Sequence, residues 1–165
     1  MKQKLTISIV GSAGGVAKSI LAILDKSSQD VNDPIHSLIS NCNLHLIDMK
    51  QKDKTYYEQW IPHLTHAAVL HQFDLNDSAK FRQHVTDTKT TLVIDVSWAD
   101  TVELLQCCDE MGIRYINTAL ENTMVDENEE LEGFTLLERY RIFQENRGRF
   151  KHVKAIIGSG MNPGV

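Results

Sequence analysis

The stretch Val10-Gly11-Ser12-Ala13-Gly14-Gly15-Val16-Ala17 decides the fold. It stands between the apolar run Leu5 to Val10 and a segment of helical spacing in which Val16, Ile20, Ile23 and Leu24 share a stripe. A glycine turn at a strand-to-helix junction lets the backbone approach a pyrophosphate. It also aims the first N–H groups of the helix at that anion. The strict form of the turn is G-x-G-x-x-G. Here the order is Gly11-x-x-Gly14, with Ala17 as the small residue one turn on. Ala13 adds a methyl where a glycine would let the phosphates come close.

Outward from the turn, short runs rich in Val and Ile recur at Leu44 to Ile47, Ala67 to Leu70, Leu92 to Val96, Tyr115 to Ile116 and Val153 to Ile157. Most are continuous rather than alternating, which suits strands buried on both faces of a parallel sheet. Helical spacings lie between them. Tyr57, Trp60, Ile61 and Leu64 share a stripe, and Asp77-Ser78 caps a helix running to about Val85. Val102, Leu105 and Met111 mark a helix that starts near Ala99 and stops at Gly112. Leu136, Leu137, Tyr140 and Phe143 mark a longer one ending near Gly148. The insert Lys26 to Asn43 contains Asp33-Pro34, which opens a short helix carrying Ile35, Leu38 and Ile39. Alternating strands and helices with right-handed crossovers build an α/β, doubly wound parallel sheet. The expected form is a Rossmann domain of about six strands with helices on both faces.

A second chemical signal is Asp48, closing Leu44-His45-Leu46-Ile47-Asp48. An acid at the tip of the second strand accepts hydrogen bonds from ribose hydroxyls and repels a 2′-phosphate, which favours NAD over NADP. Lys50 and Lys52 blur that preference. Asp48 lies 37 residues after Gly11, more than usual, and the insert accounts for the excess. Phe73-Asp74-Leu75, Asp95-Val96-Ser97 and Asn117-Thr118 put polar residues at the ends of the next three strands, on the edge where a dinucleotide lies. Each of these polar residues alone is equally a helix cap.

The 165 residues, 42% hydrophobic and 24% charged, make one domain of ordinary globular composition. A chain of this length buries roughly 70% of its unfolded surface and folds without a staple. The net charge of −5 argues against nucleic acid or an anionic membrane as partner. No run reaches the ~18 apolar residues of a membrane span. Cys42, Cys107 and Cys108 form no C-x-x-C and read as reduced thiols, which points to the cytoplasm. His63, His66 and His71 have no Cys or carboxylate among them at ligand spacing, so no metal is expected. Tyr56, Tyr57, Tyr115 and Tyr140 are followed four residues on by Trp60, Ile61, Ala119 and Gln144, so the Tyr-x-x-x-Lys pair of short-chain reductases is missing. G-x-S-x-G and the P-loop pattern are missing as well.

Three segments carry a resemblance: Val93-Ile94-Asp95-Val96-Ser97, Gly112 to Glu121 with Tyr115-Ile116-Asn117-Thr118, and Gly158-Ser159-Gly160-Met161-Asn162-Pro163-Gly164. Together with Gly11-Ser12-x-Gly14 the chain resembles the N-terminal domain of the saccharopine dehydrogenase-like group, nearest to bacterial homospermidine synthases. The resemblance implies that residues 1–165 are an NAD(P)-binding domain and that a catalytic and dimerising domain belongs beyond them. It implies a small amine or amino-acid substrate, oxidised to an imine and re-reduced by bound NAD. It places Gly11, Ser12, Ala13 and Gly14 against the pyrophosphate, Asp48 against the ribose, and Asp74 and Leu75 beside adenine. Val96, Ser97, Asn117 and Thr118 approach the nicotinamide half, and Asn162-Pro163 turns toward the second domain. Glu121 meets an amine or is a solvated loop acid, and the acidic run to Glu132 is a solvated face. The competing reading is a stand-alone nucleotide-sensing module without catalysis; a methyltransferase using the same acid on a donor ribose is a third.

Overall fold

The computed structural model describes residues 4–50 and 52–159. The Asn162-Pro163-Gly164 turn lies outside the described residues.

Strand β1 (Thr6–Val10) runs into the glycine turn, and α1 (Gly15–Gln29) follows. Then come α2 (His36–Ile39), β2 (Asn43–Asp48), α3 (Lys54–Glu58), β3 (Ala68–Gln72), α4 (Ser78–Asp87), β4 (Leu92–Asp95) and α5 (Thr101–Met111). The chain closes with β5 (Arg114–Asn117), α6 (Thr123–Asp126), α7 (Thr135–Asn146) and β6 (Ala155–Ile156). The six strands are all parallel and ordered β3-β2-β1-β4-β5-β6. The order reverses between β1 and β4, so a crevice opens beyond their carboxyl ends. This is the doubly wound Rossmann-like sheet that the alternation implied.

The core has two parts. Ile7, Ile9, Leu44 and Leu46 face Ala17, Leu21 and Leu24 of α1 together with Tyr57 and Ile61. Val10, Ile47 and Val93 face Phe81 and Val85 of α4 and Leu104, Leu105 and Cys108 of α5. The cysteines are all free and buried. The Asp77 cap and the Gly112 stop sit where the sequence put them: the Asp77 side chain accepts from Lys80 N–H, and Gly112 ends α5 with φ +66°. Asp100, which the sequence reading did not single out, caps α5 by accepting from Val102 and Glu103 N–H. No helix among the described residues is long and apolar enough to cross a membrane.

Three stripes differ from expectation. The inward face of α1 is Ala17, Leu21 and Leu24, while Val16 is 52% and Ile23 is 62% exposed. Two apolar stripes run side by side on this helix. The glycine turn sets its rotation by pressing the small Ala17 onto the sheet. The stripe from Tyr57 to Leu64 is no single helix, because α3 ends at Glu58 and Pro62 sits in the turn that follows. On α7, Leu136, Leu137 and Tyr140 point outward, and Phe143 is the residue packed on the core.

Two buried acids fasten loops. Asp109 Oδ1 accepts the N–H groups of Lys151, His152 and Val153 at 2.6–2.8 Å, which sets the approach to β6. Burial raises the pKa of Asp109, but those three donors together lower it further, leaving the group below the usual carboxylate range. Asp25 accepts from His63 and Leu64 N–H and from His63 Nδ1, tying α1 to the segment after α3.

Candidate nucleotide-binding cleft

The cleft begins at Gly11, whose φ of +78° turns the chain out of β1. A Cβ there would stand 2.8 Å from Val96 O and 2.9 Å from Ser97 Cα, so only glycine fits against the end of β4. Gly11 and Ser12 N–H both donate to Ile47 O at 3.0 Å, stitching the turn to β2. Ala13 N–H donates to Asp48 Oδ2 at 2.9 Å, and Asp48 Oδ1 accepts Lys50 N–H at 2.9 Å. Tyr56 and Tyr57 of α3 support the turn from below. The Tyr56 hydroxyl donates to Ala13 O at 2.8 Å, and the Tyr57 hydroxyl lies 2.7 Å from Ser12 Oγ. Burial raises the Tyr57 phenol, which keeps it neutral in that bond.

With the turn fixed, α1 starts at Gly15. Its N-cap is Gly14, with no side-chain cap and no acid in its first turn. The first internal bond of the helix is Lys18 N–H to Gly14 O, so Gly15, Val16 and Ala17 N–H have no intrahelical acceptor. This is the positive end of a 15-residue helix left open at the mouth of the crevice.

The crevice in front of it has a volume of about 490 Å³, within the range of small-molecule sites. Eight of the residues singled out from sequence line it: Gly11, Ala13, Gly14, Asp48, Asp74, Leu75, Val96 and Ser97. Three do not. Ser12 is fully buried under the turn, with its hydroxyl on Tyr57 and its N–H on Ile47. Asn117 is 1% exposed, and its side chain accepts Gly158 N–H at 2.8 Å and donates to Ala119 O at 2.6 Å. Thr118 lies outside the crevice lining. Glu121 is also structural: Arg139 Nη2 of α7 pairs with it at 2.9 Å and with Asp126 at 2.5 Å.

The lining adds Met49, Lys50, Lys52, Tyr56, Asn76 and Trp98. Lys52 Nζ stands 4.9 Å from the centroid of the Tyr56 ring, and Lys18 Nζ 5.2 Å from it. Trp98 is 79% exposed beside the cleft. Sequence reasoning passed over Tyr56 and Trp98 because they belong to no motif, and only the fold brings them to β1, whereas Lys50 and Lys52 were noted beside Asp48. Asp74 Oδ1 accepts Asn76 N–H at 2.9 Å, forming the turn into α4. The assembly is suited to binding: open helix N–H groups for an anion, a fixed carboxylate for hydroxyls, and Met49, Leu75, Val96 and Trp98 as apolar walls for a flat ring.

No family model matches the chain. No curated protein matches it either. Solved structures do, at low identity. UDP-glucose 4-epimerase from Bifidobacterium longum, in complex with NAD+ and UDP, is 12% identical with a TM-score of 0.59 over 92% of this chain and 52% of its own. Leucoanthocyanidin reductase from Vitis vinifera with NADPH is 11% identical, with a TM-score of 0.55 over 92% of this chain and 49% of its own. ElxO with NADPH bound is 10% identical, with a TM-score of 0.56 over 94% of this chain and 73% of its own. At these identities the likeness establishes a Rossmann-like fold. The chain spans about half the length of the epimerase and reductase it matches.

Proposed function

We propose that the cleft binds a nicotinamide adenine dinucleotide and that the chain is the cofactor-binding domain of an oxidoreductase. One juxtaposition carries this reading. The uncapped, acid-free start of α1 and the carboxylate of Asp48, 2.9 Å from Ala13 N–H, stand on the same lip of the crevice. The first suits a pyrophosphate and the second the adenosine ribose. The bound NAD+ and NADPH named for the structural neighbours support it.

Asp48 disfavours a 2′-phosphate, so NAD is the preferred form and NADP the weaker ligand. The narrower assignment, to saccharopine dehydrogenase-like enzymes and homospermidine synthase, rests on sequence motifs alone, and the neighbours named above are an epimerase and reductases. It carries with it a small amine or amino-acid substrate, a second catalytic and dimerising domain, and a cytoplasmic setting.

A stand-alone nucleotide-sensing module is favoured by one observation: the side chain of Asn117, which should reach a nicotinamide, is fully engaged within the fold.

The reading is tested by thermal unfolding with each cofactor. A ligand at a hundred times its Kd adds about 2.7 kcal/mol to stability. NAD should raise the melting temperature by several degrees and NADP by less. An equal or larger rise with NADP removes the role given to Asp48, and no rise with either removes the cofactor reading.

A further inference from the structure

We infer that the cleft is a site for the adenosine diphosphate moiety alone, so that ADP and ADP-ribose bind it about as tightly as the whole dinucleotide. This rests on the cofactor reading and narrows it. A ligand gains affinity only from protein groups left free to meet it. A polar group already satisfied inside the fold has little to give.

On the β1–β2–β3 side of the crevice the groups keep capacity for a ligand: each bonded oxygen of Asp48 and Asp74 accepts one main-chain N–H and retains a second lone pair. Gly15 and Val16 are exposed at the open start of α1, and Asp74 is exposed beyond β3. Lys50 and Lys52 line the rim beside Met49, in no salt bridge among the described residues, and Trp98 is exposed on the same crevice. An anion, a ribose and a purine ring each find a partner there.

Toward β4, β5 and β6 the corresponding groups are engaged with one another. Ser97 Oγ donates to Asp95 Oδ1 at 2.6 Å and accepts Ala99 N–H at 3.1 Å. Asp95 Oδ2 accepts the Tyr115 hydroxyl at 2.5 Å, and both residues are buried. Asn117 holds Gly158 N–H and Ala119 O, and its own carbonyl accepts Ser159 N–H at 3.0 Å. Thr101 Oγ1 accepts Glu121 N–H at 3.0 Å, and Thr101 N–H returns to Glu121 O, which buttons the loop after β5 onto α5. Among the described residues, a nicotinamide ribose laid along this side would meet Ser97 and Asn117 side chains already engaged within the fold. Its contribution to affinity is therefore small, and recognition lies in the diphosphate and adenosine.

The test is a set of titrations of the whole chain with NAD, ADP, ADP-ribose and nicotinamide mononucleotide, followed by calorimetry and by the fluorescence of Trp98. The dissociation constants of NAD, ADP and ADP-ribose should agree within about threefold, and nicotinamide mononucleotide should not bind. Binding of NAD more than about tenfold tighter than ADP, or competition of nicotinamide mononucleotide with NAD, overturns the inference and leaves the cofactor reading standing. Failure of every adenine ligand to bind overturns both.

Discussion

Gly11→Ala is expected to destabilise the chain by about 3–5 kcal/mol, a large part of a typical domain's total. Two costs add at this position. The left-handed backbone, with φ +78°, strains any residue bearing a Cβ by about 1–2 kcal/mol. The new methyl would also lie 2.8 Å from Val96 O and 2.9 Å from Ser97 Cα, which are main-chain atoms at the end of β4 and cannot swing aside. Moving them would pull β4 from β1, where Val96 N–H donates to Val10 O at 2.9 Å. For a domain of this size each kcal/mol is worth about 2–4 °C in melting temperature. A calorimetric fall of about 6–20 °C is therefore expected. Gly112→Ala is the control. Its φ is also positive, at +66°, but no atom stands within 4 Å of the added Cβ. It should cost only about 1 kcal/mol. Equal effects at the two sites would mean that close approach to β4 plays no part.

Acid should destabilise the protein through three histidines. His45 of β2, His71 of β3 and His84 of α4 meet in the layer between sheet and helix, with ring centroids 4.5–5.6 Å apart. His45 Nδ1 lies 2.9 Å from His71 Nε2, so one of the two must be the acceptor and neutral. His84 Nε2 lies 3.0 Å from Ser8 Oγ, which reaches on to Thr90 Oγ1 at 2.7 Å. Burial lowers all three, and mutual repulsion adds to it at His45 and His84. His84 falls to about 3, although Asp87 on the same helix pulls it upward.

The sign follows from linkage. The unfolded histidines take up protons near pH 6.5 and the folded ones do not. Stability is complete above about pH 6.5 and falls as the pH drops toward 3. The slope is about 1.4 kcal/mol per pH unit between the folded and unfolded pKa of a histidine, so His84 alone removes about 2 kcal/mol between pH 6.5 and pH 5. Urea unfolding across this range should show it, and His84→Gln should flatten the profile whatever it does to stability at pH 7. An unchanged slope in His84→Gln would mean that the cluster is already protonated in the folded chain.

Most of the fold was legible because its signals are local. Continuous Val/Ile runs mark strands buried on both faces, and Asp77 and Gly112 announce helix ends by their own chemistry. The rotation of a helix is less local. Val16-Ile20-Ile23 and Ala17-Leu21-Leu24 are both credible inward faces, and only the turn at Gly11 selects the second. The outward leucines of α7 mislead in the same way, since hydrophobicity records a need for cover without saying where the cover is.

The cleft was legible as far as it depends on backbone, through Gly11, Gly14 and the strand-end position of Asp48. Asn117 and Ser12 fall outside the crevice lining, and a polar residue in such a position has two employments. It serves the ligand or it ties the fold together, and the choice depends on partners such as Gly158 and Tyr57 that sequence does not place beside it.

The most direct test of the dinucleotide cleft is a calorimetric titration of NAD into the chain and into Gly14→Val. Gly14 has an ordinary extended backbone, φ −73° and ψ 164°, and an added Cβ meets only Gly11 O, at 3.3 Å. Valine therefore needs the Gly11 carbonyl to give by a few tenths of an ångström, and its side chain would stand before the first N–H groups of α1. Saturable one-to-one binding is expected in the wild type, with at least a tenfold loss in Gly14→Val while its thermal unfolding stays cooperative. Equal affinity in the two proteins, or no binding in either, would contradict it.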